Sequence, residues 1–276
     1  MRVVTLLENT AVNESFCAAY GLSLYLETPR HRILFDMGPD ESFAANADRL
    51  GIDLAAVDTA VLSHGHYDHG GGLRTFLERN DRAKVYLHEG VFGDYYALRS
   101  GGQLEYIGVD PALRAYASRF TMTRGVVRID EELTLFDEVP DAFGGRNVSA
   151  ALKEKTADGT VRPDSFFHEQ DLLITAEGKT VLVAGCAHRG IVNICARAGA
   201  LLGREPDVVI GGFHLFPLHP ENPEDAGEIA RVGEALRSAS ARYVTGHCTG
   251  PAVYRVLKGM LGQRLSPLSG GGELTL

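Results

Sequence analysis

The sequence predicts one mixed α/β domain in which strands dominate each half of the chain and helices follow them. Three observations carry this expectation. Apolar runs of strand length recur, segments with helical apolar spacing come after them, and the histidines collect directly behind the strands.

In chain order, "RVVTLL" (2–7), "LSLYLE" (22–27) and "RILFD" (32–36) read as strands, the last two as a hairpin turned at "TPRH". "TAVLS" (59–63) and "AKVYL" (83–87) follow. Between them "GGLRTFLERN" sets Leu73, Phe76 and Leu77 on one helical face. In the second half "DLLIT" and "TVLVAG" form another hairpin, turned at "AEGK", and "DVVIGG" (207–212) and "RYVTG" (242–246) are further strands. Helices are expected over 190–202, 224–238 and 251–262. Segment 90–165 mixes glycine, tyrosine and short apolar runs and reads as insertions that cover something. No linker or repeat divides residues 1–276.

Composition narrows the function. The chain is 45% hydrophobic and 23% charged, ordinary for a globular protein, with no apolar run long enough for a membrane span. The N-terminal stretch lacks the features of a signal peptide, so a cytoplasmic protein is expected. A net charge of -9 disfavours nucleic acid as partner and leaves a small molecule. The sequence leaves a homo-oligomer open. The four cysteines, Cys17, Cys186, Cys195 and Cys248, are scattered without a CxxC pair and read as reduced. The basic stretch "RAYASRFTMTRGVVR" (114–128) reads as a solvated face before it reads as a phosphate-attracting lip. Tyr95, Tyr96, Tyr106 and Tyr116 read as packing residues before they read as a stacking platform.

The chemistry concentrates in "SHGHYDHGGG", residues 63–72. Buried neutral imidazoles need a partner for each nitrogen, and a cation satisfies several at once. In an extended segment His64 and His66 face the same way and can share one cation. Asp68 and His69 follow where the chain turns into a helix and point to a neighbouring position. Gly65 is expected to leave room between ligands, and Gly70 to Gly72 to let the backbone turn tightly. Imidazoles with one carboxylate suit zinc, iron or manganese better than calcium or magnesium. The remaining ligands must come from elsewhere. Three later strands end in glycine and then histidine, offering Cys186 with His188, His214, and His247 with Cys248. His31, His88 and His219 read as surface residues without a special role.

These motifs resemble the metallo-β-lactamase superfamily. "GLSLYLE", "ILFDMG", "SHGHYDHGGG", "FFHEQDLLI", "GCAHRGIVNI", "GGFHL" and "HCTG" are similar to its branch named for 7,8-dihydropterin-6-ylmethyl-4-(β-D-ribofuranosyl)aminobenzene 5′-phosphate synthase. The resemblance implies a four-layer αββα sandwich with a dinuclear centre at one edge of two sheets. It implies that His64, His66 and His188 bind one metal and that Asp68, His69 and His247 bind the other, with Asp36 steadying a ligand loop. His214 is then placed near substrate as a proton donor or anion contact, and Asp68 and His214 become the candidate catalytic residues. The superfamily's bridging aspartate is replaced here by Cys186, which either bridges as a thiolate or leaves the bridge to water. His168 is an alternative third histidine, and Glu169 beside it an alternative family feature.

Two divalent ions, with zinc expected first and manganese or iron also compatible, would leave a centre of about +2, or about +1 with a bound thiolate. Such a centre favours an anionic substrate. The expected activity is hydrolysis of a phosphoester, thioester or lactone by metal-bound hydroxide. The alternative is a transferase that joins a pterin-methyl diphosphate to an aromatic amine with loss of diphosphate.

Overall fold

A computed structural model describes residues 1–144 and 149–276. The elements run β1 (Arg2–Leu7), β2 (Ser23–Glu27), β3 (Arg32–Phe35), α1 (Ser42–Arg49), β4 (Thr59–Leu62), α2 (Tyr67–Gly70), α3 (Leu73–Arg79), β5 (Lys84–His88), β6 (Asp94–Leu98), β7 (Leu104–Tyr106), β8 (Phe120–Thr123), β9 (Val127–Arg128) and β10 (Leu133–Phe136). They continue β11 (Leu152–Lys155), β12 (Val161–Pro163), β13 (Asp171–Ala176), β14 (Lys179–Val183), α4 (Ile191–Leu202), β15 (Val208–Gly212), α5 (Pro223–Ser238), β16 (Arg242–Gly246), α6 (Pro251–Leu261), β17 (Leu265–Pro267) and β18 (Glu273–Thr275).

Two large sheets form the body, ordered β18-β1-β2-β3-β4-β5-β8 and β17-β16-β15-β14-β13-β10-β9. Leu24, Leu26, Ile33, Phe35 and Val61 of the first meet Leu172, Ile174, Val181, Val183 and Ile210 of the second in one buried cluster between the sheets. Phe43 and Ala47 of α1 and Phe76 of α3 cover the outer face of the first sheet. Ile194, Ile229 and Leu257, from α4, α5 and α6, cover that of the second. This is the expected four-layer sandwich. Because every layer is covered, the strands are apolar on both faces, which is why they stand out in the sequence as near-continuous runs.

Both predicted hairpins form, β2 with β3 and β13 with β14. The reading of 90–165 as insertions is corrected. That stretch contains β8, which extends the first sheet, and β9 and β10, which extend the second. Only β6, β7, β11 and β12 stand apart, as a four-stranded sheet. Its strands "DYYAL", "LEY", "LKEK" and "VRP" are mostly half-buried or exposed and carry no apolar period.

Parallel pairing fixes where a site can lie. β3, β4, β5 and β8 run parallel, as do β14, β15, β16 and β17. Parallel neighbours need crossovers, so their carboxyl ends share one edge. In the first sheet that edge carries Asp36 and His64. In the second it carries Cys186, His188, His214 and His247.

Candidate metal centre

The strand tips do meet. The ligand atoms of His64, His66 and His188 lie within 4.8 Å of one another, and so do those of Asp68, His69, Cys186 and His247. Cys186 forms a further group with His188 and His214. All of these side chains are buried except that of His188, which is partly so. Every residue proposed from the sequence as a ligand, and His214 with them, therefore belongs to one constellation.

The hydrogen-bond network sets which nitrogen each ring presents. Asp36 Oδ1 accepts from Ser63 N at 2.7 Å, and its Oδ2 accepts from both Ser63 Oγ and His69 Nδ1, each at 2.7 Å. Ser63 Oγ, its proton given to Asp36, accepts from His64 Nδ1 at 2.8 Å. His247 Nδ1 donates to Asn9 Oδ1 at 3.0 Å. With each Nδ1 donating, His64, His69 and His247 all present Nε2 as a lone pair. These lone pairs converge. His64 Nε2 lies 3.3 Å from His188 Nε2, and His69 Nε2 lies 3.2 Å from His247 Nε2. His66 Nε2 and His214 Nδ1 are buried with no hydrogen-bond partner among the described residues. Facing acceptors and orphaned ring nitrogens are what a cation-binding cage requires, so the donor set fits divalent metal.

Electrostatics point the same way. Burial, reinforced by His69 and His66, holds the His64 pKa well below its ordinary value. Burial and the nearby His214 do the same for His188. Both rings are held neutral. Burial opposes charge on Asp68, but His69 and His247 outweigh it and keep the carboxyl ionised far below the usual range. Burial also opposes charge on His69, yet Asp36 and Asp68 lift its pKa to about 9, which favours a second proton at Nε2 unless a cation takes its place. The second position thus attracts positive charge.

Backbone geometry aims these groups. Asp36, Ala187, His214 and His247 all adopt left-handed φ values, between 46° and 58°. Such conformations in non-glycine residues are costly and gather at functional sites. Glu169 Oε1 and Oε2 accept from the backbone of His188 and Arg189 at 2.7 and 2.9 Å, and burial pushes its carboxyl up to about 7 despite them. Glu8 Oε1 accepts from His247 N at 2.5 Å. Glu8 and Asn9 were not singled out in the sequence. Their signal was there, since they directly follow the apolar strand β1, as the histidines follow theirs.

Other expectations need correction. The glycines of the motif serve close packing. A Cβ on Gly65 would stand 2.4 Å from Val91 O, and one on Gly71 2.0 Å from Pro39 O. Gly71 and Gly72 have ordinary helical φ values of -62° and -78°, so no special turn is made there. His168 accepts from Gly65 N at Nδ1 and lies 3.2 Å from Asp164 Oδ2 at Nε2. These contacts tie His168 to the loop, and its ligand atom also lies within 4.8 Å of those of His66 and Asp164, a further group of donors. Asp164, also 3.6 Å from His66 Nε2, was missed because nothing local in a turn marks it. His31 and His88 are not incidental surface residues. His31 bridges Asp58 and Asp130, and the fully buried His88 pairs with Asp137 at 2.7 Å.

A cleft of about 300 Å³ opens on the constellation, with His66, Asp68, Cys186, His188 and His214 at its floor. Tyr20, Tyr67, Ile107, Leu152 and Phe216 make its walls largely apolar, and Arg99 stands at one side. A larger cavity of about 360 Å³ reaches only His188 and Asp164 of these groups, so the smaller cleft is the approach. None of Tyr95, Tyr96, Tyr106 and Tyr116 lines it. Tyr95 packs on His168, and Tyr96 on Tyr106. The arginines of 114–128 are engaged by their own chain, Arg114 with Phe92 O, Arg119 with Asn80 O, Arg124 with Glu89 and Arg128 with Asp130 O.

Sandwich, shared strand edge and histidine cage are compatible with metal binding, and comparison with known proteins gives the family. Residues 19–247 match the model of the metallo-beta-lactamase superfamily, and the chain belongs to that superfamily. It is 31% identical over 252 residues to the uncharacterized protein MJ0448 of Methanocaldococcus jannaschii, covering 89% of each. It is 28% identical to the 7,8-dihydropterin-6-methyl-4-(beta-D-ribofuranosyl)-aminobenzene-5'-phosphate synthase of the same organism, over 91% of this chain and 88% of that one. Among solved structures it resembles Tm1679, described as a metal-dependent hydrolase of the beta-lactamase superfamily, with a TM-score of 0.83, 25% identity and coverage of 100% and 99%. No helix among the described residues is long and apolar enough to cross a membrane.

Proposed function

We propose that this protein is a metal-dependent hydrolase that acts on a small anionic substrate at a pair of divalent ions, with zinc the favoured metal. The observation that carries the reading is the pair of donor groups standing side by side at the floor of one cleft. His64, His66 and His188 would hold one ion, and Asp68, His69 and His247 the other. Bound there, the ions would supply Lewis acidity and a water acidified toward a pKa of about 7.

The chain's own groups do the rest. Asp36 and Ser63 keep His64 and His69 in the ligating tautomer and orientation. Glu169 and Glu8 fix the backbone that carries His188 and His247. The His214 ring lies 4.2 Å from that of His188, with Nδ1 unpartnered among the described residues, at the floor of the cleft. It is placed to bind an anionic oxygen or to give a leaving group its proton. Tyr20, Tyr67 and Phe216 line the approach and limit water around the reacting bond. The description of Tm1679 as a metal-dependent hydrolase supports this reading.

A second reading is favoured by the similarity to the named synthase. In a transferase the same ions would bind a departing diphosphate. The two separate by isotope and by co-substrate. A hydrolase incorporates solvent oxygen into product, whereas a transferase turns over only with a second organic substrate.

The deciding experiment is metal analysis of protein purified without added metal, with a screen of phosphodiester, thioester and lactone substrates. We expect two metal ions per chain, activity lost on chelation, and a fall of at least about 10²-fold in kcat for Asp68→Ala. Turnover that persists without metal would overturn the proposal.

A further inference from the structure

The loop over 164–170, between β12 and β13, has no regular structure, yet Asp164, Phe166, His168, Glu169 and Gln170 in it are buried. A loop that only joins two strands runs over the surface. We propose that this loop is the scaffold of one metal position alone, that of His64, His66 and His188, with Asp164 and Phe166 as positioning residues, so that this ion can be lost while its neighbour stays. The inference rests on the metal-binding reading above and goes beyond it by separating the two ions.

The contacts run to every part of that position. Gln170 N donates to Ser63 O at 2.8 Å, fixing the residue before His64. His168 Nδ1 accepts from Gly65 N at 2.9 Å, fixing the residue between His64 and His66. Asp164 Oδ2 stands 3.2 Å from His168 Nε2 and 3.6 Å from His66 Nε2, so one carboxylate oxygen faces both rings. Phe166 lies flat against His188, with ring centres 4.4 Å apart and planes 4° from parallel. His188 Nδ1 has no hydrogen-bond partner among the described residues, so the stacked ring of Phe166 sets the plane of the imidazole. Glu169 holds the His188 amide from the same loop. Asp164 Oδ1 accepts from Phe166 N at 2.7 Å, and Phe166 takes φ 52°. A strained backbone of this kind persists only where its surroundings fix it.

The other position leans on residues 8–37 instead. His247 is held by Asn9 at Nδ1 and by Glu8 at its amide. Leu22 N donates to Asp68 O at 3.3 Å, and Met37 N to His69 O at 2.7 Å. Among the described residues no hydrogen bond, ion pair or ring contact joins 164–170 to Asp68, His69 or His247. Asp36 serves both positions, through Ser63 to His64 and directly to His69.

The test uses the full chain, labelled with nitrogen-15 in histidine and loaded with zinc. A competitive zinc titration gives the affinities, and ring-nitrogen NMR shows which histidines carry metal. Wild type is expected to bind two zinc ions. Asp164→Asn keeps an acceptor for Phe166 N but turns an amide donor toward the two rings. It should weaken one ion about 10- to 100-fold, and the metal-bound signals of His66 and His188 should fade while those of His69 and His247 stay. Phe166→Leu should do the same, and Phe166→Tyr, which keeps the ring, should retain both ions. Asn9→Ala should give the reverse pattern. Equal weakening of both ions by Asp164→Asn, loss confined to His69 and His247, or no loss at all would overturn the inference and leave the metal reading standing. A third bound ion that disappears with Asp164→Asn would also overturn it, since Asp164 would then be a ligand. Wild type that binds no zinc would overturn both. Where an Asp164 variant does not fold, the Phe166→Leu and Asn9→Ala spectra decide.

Discussion

Asp36 satisfies three donors with two oxygens while held at φ 58°. Asparagine tolerates that backbone conformation, so Asp36→Asn isolates the side-chain effect. Its amide would turn a donor toward Ser63 Oγ and His69 Nδ1 or toward Ser63 N, and one contact must break. We expect metal affinity to fall about 10- to 100-fold, measured by competition with a chromophoric chelator. Unchanged affinity would mean that the network does not orient the ligands. At this scale the sequence is most legible where ligands are contiguous. His64, His66, Asp68 and His69 announce themselves within six positions. Asp164 and Glu8 do not, because Asp164 sits about a hundred residues from the His66 it faces, and Glu8 acts on a backbone amide 239 residues away.

Between elements, the contact of two strand tips is a sharper constraint than either strand alone. Gly185, two residues past the end of β14, packs against Ser63, which directly follows β4. A side chain there must displace the serine that links Asp36 to His64. Gly185→Ala is expected to cost about 1–3 kcal/mol of stability, in the range of overpacking, and to lower metal content at once. Denaturant unfolding with metal analysis checks both, and a variant as stable and as well loaded as wild type would contradict the packing argument. The large strands were readable because burial on both faces makes their apolar runs continuous, and the long helices because one face is apolar and buried. The small sheet was not. Its strands owe their form to pairing with one another, β6 with β7 and β11 and β11 with β12, rather than to a local pattern.

Across the whole molecule, His31 ties the two sheets together at the end away from the cleft. Its Nδ1 lies 2.9 Å from Asp58, just before β4, and its Nε2 2.6 Å from Asp130, just before β10. Two carboxylate acceptors on two ring nitrogens call for the doubly protonated ring. Burial opposes that charge, but the hydrogen bonds to Asp58 and Asp130 prevail and raise the pKa. A raised folded-state pKa adds stability that is complete below the unfolded value of about 6.5 and lost as pH climbs through the folded one. Wild type should therefore exceed His31→Gln in stability at pH 5.5, by about 1 kcal/mol or less. The two should converge in alkaline solution, with metal content equal throughout. Thermal unfolding across pH checks this, and a gap that widens as pH rises would refute it.

Both proposed metal positions draw on both halves of the chain. His64 and His66 await His188, and Asp68 and His69 await His247. During synthesis the early cluster leaves the ribosome well before the residues that complete it. Until the last quarter of the polypeptide has emerged and the second sheet has docked, that cluster offers any ion only part of a coordination shell. On the proposed assignment, tight capture would be a late event in maturation, and a chain cut short before residue 247 would be left with a half-built trap.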